Sequence, residues 1–168
     1  MKTVTASVMA ACGLWLAGGA AAQEARALPA AKPATDGKVW GALVYASAKP
    51  SGDKPASQPP KGLEDLSARL AKVFDFPCFD ILGQHTQDVF REYESWVVPS
   101  RDLFLKVDSK GPAEGGGMKL SLQFWQDQQV LVKTDAVLKA GSPLFIGGPK
   151  WRDGRLIFVL QLVGGGAK

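Results

Sequence analysis

The chain has no asparagine, a single histidine and only two cysteines, and each shortage removes a class of function. Without asparagine there is no N-glycosylation sequon. Cys12 falls in an N-terminal run read below as a cleaved leader, which leaves Cys78 alone and excludes an intramolecular disulfide. Small exported domains often depend on such bridges. This one is expected to hold together by core packing or with help from a partner. One Cys and one His fall short of the four ligands of a structural zinc site. No segment places acids at alternate positions around a glycine, as a calcium loop requires. There is no Lys/Arg run, and the formal charge of +4 is far from the concentrated basic patch of a nucleic-acid binder. Gly147-Gly148-Pro149 lacks the GxxxxGK[ST] spacing of a phosphate loop and reads better as a turn or bulge. No metal or cofactor is expected.

What is present begins with an address. Lys2 precedes an apolar, small-residue run from Val4 to Ala17, and Gly18-Gly19 lead into Ala20-Ala21-Ala22. A charged start, a short apolar middle and small residues at −3 and −1 make a secretory signal peptide with cleavage after Ala22. The run is too short, and too interrupted by Thr5, Ser7 and Gly13, for the about 20 apolar residues of a membrane span. Two rivals are a retained anchor and lipid attachment at Cys12. Export with cleavage, into the periplasm or beyond, is the expectation. The Ala- and Gly-rich usage fits a bacterium with a GC-rich genome. Loss of residues 1–22 still leaves enough chain for one domain with a real core.

Residues 23–37 show no hydrophobic period and read as a flexible tether. A single β-rich domain is expected over 38–163, followed by a frayed tail, 164–168. Val39–Ser47 reads as a strand, and the segment 48–62, with Pro50, Pro55, Pro59 and Pro60, as a solvated loop. Leu63, Leu66, Leu70, Val73 and Phe74 recur at three- and four-residue spacing and predict a helix over 63–74. Glu64 and Asp65 are placed in its first turn, with Arg69 and Lys72 in its later part.

After Pro77 the period changes to two. Phe79 and Ile81 alternate with Cys78, Asp80 and Leu82. Leu103, Leu105 and Val107 alternate with Phe104, Lys106 and Asp108. Met118, Leu120, Leu122 and Phe124 alternate with Lys119, Ser121, Gln123 and Trp125. Gln126-Asp127-Gln128 is expected to turn the chain back into Gln129–Thr134. Leu144–Ile146 and Arg155–Val163 flank Arg152-Asp153-Gly154, whose Asp-Gly pair predicts a tight hairpin. The last run is apolar on both sides, as in a strand held between layers. Together these predict a mainly β (α+β) fold: an antiparallel β-sandwich or curled sheet of about seven to eight strands with one packed helix. The segment Gly141–Pro149, followed by a hairpin, resembles segments of envelope secretion proteins. It covers under a tenth of the chain, and no residue role is carried over from it.

Few side chains suggest chemistry. Cys78 and His85 could meet across a hairpin at Gly83, but a thiol in an apolar strand is normally inert, and His85 reads as a polar loop residue. Asp75/Asp80 and Asp88/Glu92/Glu94 are the clustered acids; Asp80 and Asp88 could serve a carboxylate-dependent hydrolase of an envelope glycan or peptide. A cavity between the sheet and the 63–74 helix would make a small-ligand carrier. The surface aromatics point elsewhere. Lys150-Trp151-Arg152 sits at the tip of the last hairpin and Trp125 on the polar side of its strand, residues that suit recognition of an envelope protein or surface polymer. The leading expectation is a non-catalytic binding or assembly module of the cell envelope.

Overall fold

The computed structural model describes residues 35–50, 58–91 and 93–163. The expected leader, most of the tether, the segment 51–57, Glu92 and the tail lie outside the described residues. Eight strands and one short helix follow in order: β1 (Thr35–Ser47), α1 (Leu66–Ala71), β2 (Cys78–Phe90), β3 (Ser95–Val97), β4 (Leu103–Pro112), β5 (Met118–Gln126), β6 (Gln129–Leu138), β7 (Leu144–Trp151) and β8 (Gly154–Leu162). They form two four-stranded antiparallel sheets, ordered β2-β1-β8-β7 and β3-β4-β5-β6. The fold is a β-sandwich with one packed helix.

The core lies between the sheets. Leu43 and Tyr45 of β1 and Leu156, Phe158, Leu160 and Leu162 of β8 face Leu105 and Val107 of β4 and Leu120, Leu122 and Phe124 of β5. Phe124 meets Phe158 edge to face across the gap, with centroids 4.6 Å apart, a favoured aromatic geometry. The alternation read over 103–107 and 118–124 therefore marks the inward faces of two neighbouring strands.

The first sheet is buried on its other side as well. Trp40, Ala42, Val44, Ala46, Ile157 and Val159 point away from the sandwich and are covered by Leu63, Leu66 and Leu70. This is why β1 and β8 are apolar on both faces: they are the two central strands of the middle layer.

The helix is shorter than its apolar spacing predicts. Only Leu66–Ala71 is helical, and turns occupy 61–65 and 72–73. Leu63 N–H bonds to Pro60 O and Leu66 N–H to Leu63 O, both three residues back, so the lid enters through tight turns rather than an extra helical turn. Glu64 and Asp65 thus precede the helix. The Glu64 carboxylate accepts the Gly62 N–H at 2.9 Å, and Asp65 pairs with Arg69 at 2.8 Å. Val73, expected on the apolar face, is exposed because it lies beyond the helix.

Other boundaries also move. β1 begins at Thr35, so the last three residues expected in the tether are strand. β2 runs unbroken through Gly83 and His85, which removes the hairpin considered there. A register shift between Leu43 and Val44 of β1 leaves Leu82 of β2 unmatched. At Gly83, any Cβ would overlap the carbonyl oxygen of Pro99. Glycine thus allows the 97–99 segment to close against β2, where Val98 N–H donates to His85 Nδ1 at 3.2 Å. Gly147–Pro149 sits in a register irregularity of β7, a bulge inside the strand. The final turn is centred on Arg152-Asp153, one residue earlier than the Asp-Gly pair suggests; Arg152 takes the positive φ, and Gly154 already pairs with Trp151.

Candidate binding face

β2 settles the geometry of the residues considered for catalysis. Cys78 and His85 lie seven residues apart on one extended strand, about 23 Å at about 3.3 Å per residue. A nucleophile and its base need contact. Asp80 and Asp88 are spread along the same strand. Asp80 is opposite Tyr45, and Asp88 is opposite Lys38 and paired with it at 3.5 Å. Their separation of about 26 Å along the strand exceeds the about 5–10 Å over which two carboxyl groups can share a glycosidic bond. Among the described residues no group of three or more His, Cys, Asp or Glu is placed to hold a metal ion. No helix among them is long and apolar enough to cross a membrane.

The space beneath the helix is small. A half-open cleft of about 200 Å³, lined by Val44, Glu64, Leu66, Leu70, Phe79 and Ile81 among others, is below the about 300–1,000 Å³ of a typical small-molecule site.

The two aromatic sites singled out in the sequence belong to different surfaces. Trp151 turns back from the last hairpin onto the main core, its ring edge-on to Tyr45 with centroids 5.0 Å apart. The Arg152 guanidinium lies 4.2 Å from the Trp151 ring centroid, within cation–π range. Lys150 is exposed and opposite Arg155. With Arg152, Asp153, Gly154 and Phe76 these two border an open depression of about 500 Å³. Trp151 is thus largely committed to packing, and the cations around it form the rim of the hairpin tip.

Trp125 lies on the outer face of the second sheet. The strand register places it directly opposite Phe104, and the two rings are nearly parallel, 11° apart, with centroids 6.2 Å apart. Trp96, on β3, meets both of them, at 5.6 Å from Phe104 and 6.0 Å from Trp125. All three rings are partly exposed. The Trp125 indole N–H is buried and has no hydrogen-bond partner among the described residues.

A charged frame borders the rings. Lys106, the cross-strand partner of Trp96, is bonded to Glu94 at 2.5 Å and lies 3.4 Å from Asp108. The Glu94 carboxylate holds the Lys106 ammonium above its ordinary pKa, so Lys106 stays cationic across the physiological range. Only Trp125 of this group was selected from sequence. Phe104 is visible in the sequence only as an off-face member of its alternation, and no periodicity marks Trp96.

No protein-family model matches the chain, and the searches of curated proteins and of solved structures each returned no match.

Proposed function

We propose that this chain is a non-catalytic binding module of the bacterial cell envelope, and that the outer face of its second sheet takes a surface polymer. The observation that carries this reading is the Trp96–Phe104–Trp125 cluster. Three partly exposed rings lie together on a sheet face whose opposite side already supplies the core. Aromatic rings offer a flat apolar surface for the carbon face of a sugar ring, and the adjacent Lys106–Glu94–Asp108 frame supplies donors and acceptors for hydroxyl groups. The signal-like leader supports the compartment, and the spread of Asp80 and Asp88 along β2 removes that carboxylate pair as a competing hydrolytic centre.

The test is co-sedimentation of the purified protein with isolated peptidoglycan sacculi and with extracted envelope polysaccharide, read also by tryptophan fluorescence. Binding is expected to weaken tenfold or more in Trp96→Ala and Trp125→Ala, with circular dichroism unchanged, and little in Trp151→Ala. No binding to any polymer, or binding indifferent to both substitutions, overturns the reading. In-cell crosslinking to a defined envelope protein, abolished by the same two substitutions, would replace the polymer with a protein.

A further inference from the structure

The edges of the two sheets are unequal. β3 is only three residues long. β7 carries a bulge and Pro149, and β2 has an irregular register and is closed over by the 97–99 segment. Each feature discourages another strand from pairing. β6 has no such protection along most of its length. It is ten residues long and ends the second sheet, and all of Gln129–Asp135 is exposed. Its one irregularity lies near its start, where Val130 and Val132 pair with consecutive residues of β5 and Leu131 is the extra residue. Of the seven large apolar side chains left exposed among the described residues, four are on this strand: Val130, Leu131, Val132 and Val137. The core is closed over the end of the strand, where Leu138 is buried and Ala136 half-buried, but not over its first part, since the inward-facing Val132 and Thr134 are exposed too.

The charges on β6 indicate what fits there. Lys133 lies opposite Gln123 of β5 and Asp135 opposite Ser121, both neutral. Neither charge makes an ion pair with any described residue. Lys133 and Asp135 flank Thr134 and share the outer face of the strand. An antiparallel copy of the same strand, centred on Thr134, sets each Lys133 opposite an Asp135 and each Val132 opposite an Ala136. Thr134 then faces its own counterpart. Opposite charges directly across an antiparallel pair stabilise it, whereas like charges destabilise it, and a two-fold arrangement of this kind closes on itself without forming a fibre.

We propose that β6 is the contact of a homodimer, in which two copies pair antiparallel about Thr134 and join their second sheets into one of eight strands. Both aromatic clusters then lie on the same face of the joined sheet. The inference stands independently of the polymer reading, because the residues tested here are outside the ring cluster.

Purified protein analysed by sedimentation equilibrium over a concentration series tests it. The wild type is expected to show a monomer–dimer equilibrium. Lys133→Asp creates two Asp–Asp confrontations per dimer and Asp135→Lys two Lys–Lys confrontations, so each is expected to weaken dimerisation about tenfold or more. The double exchange, Lys133→Asp with Asp135→Lys, restores opposite charges in the same register and is expected to recover most of the affinity. A wild type monomeric at every concentration overturns the proposal, and so does a dimer indifferent to both reversals. A dimer weakened by each reversal but not recovered by the double exchange overturns the Thr134-centred register.

Discussion

The hydroxyl of Tyr45, a buried residue near the end of β1, donates a hydrogen bond to the Asp153 carboxylate in the turn that closes the last hairpin. The bond holds Asp153 below its ordinary value of 3.8. The same bond, with burial second, raises Tyr45 above 10.0. A depressed carboxylate adds stability above about pH 4 that is lost as pH falls below it, and a raised phenol adds stability below about pH 10 that is lost as pH rises past it. Tyr45→Phe is expected to flatten both limbs of the profile, measured by urea unfolding from pH 2 to 11. Limbs that match the wild type would show that the bond contributes nothing to folding.

Gly154 is needed for space rather than for a left-handed backbone. A Cβ there would overlap the Ala46 carbonyl oxygen and reach within 2.8 Å of the Tyr45 ring. Gly154→Ala is therefore expected to cost about 2 kcal/mol or more, the scale of an overpacked core. Thermal unfolding indistinguishable from wild type would contradict that.

Asp36 ties the sheets together at one end. It accepts from Arg91, in the turn just after β2, at 3.0 Å and from the Ser109 hydroxyl of β4 at 2.7 Å, and Ser109 Oγ in turn accepts the Gly111 N–H. Asp36→Ala is expected to lower stability by about 1–3 kcal/mol by leaving these donors unmet. Arg91→Ala should cost less, because the arginine is mostly exposed and such pairs contribute about 0–1 kcal/mol. Denaturant unfolding of the two variants would show whether the order holds.

The six-residue helix has little stability of its own and is held by its contact with the middle layer. Leu70→Ala is expected to cost about 2–5 kcal/mol, whereas Val73→Ala, in the exposed turn, should stay within about 0.5 kcal/mol. Equal losses in calorimetry would mean that the turn packs as tightly as the helix.

The architecture was legible wherever one periodicity ruled. Leu103–Val107 and Met118–Phe124 alternate cleanly because only one side of their sheet meets the core, and the unbroken apolar run of β8 announced a middle layer. The helix is shorter than the apolar spacing implies because Leu63 and Val73 continue that spacing through turns on either side of Leu66–Ala71, where the helical geometry that would make it count is broken. β6 reads only to Thr134 because Gln129–Asp135 is exposed on both faces and offers no period, and the alternation of Ala136 and Leu138 with Asp135 and Val137 is too short to extend it. The ring cluster was half visible for a related reason: a single strand shows that Trp125 faces away from the core, but only the register brings Phe104 beside it.

β1 and β8 hydrogen-bond side by side, Val39 to Leu162 and onward to Ala46 and Arg155, so the middle of the first sheet joins segments more than a hundred residues apart. Such high contact order makes folding slow, and the strand that completes the centre is the last of the eight to be synthesised. Until it arrives, β1 can be paired only on its β2 side, and the first sheet lacks its centre. A chain truncated before Leu156 would lose the keystone of its first sheet rather than a margin, and it should fail to fold at all instead of folding as a smaller sandwich.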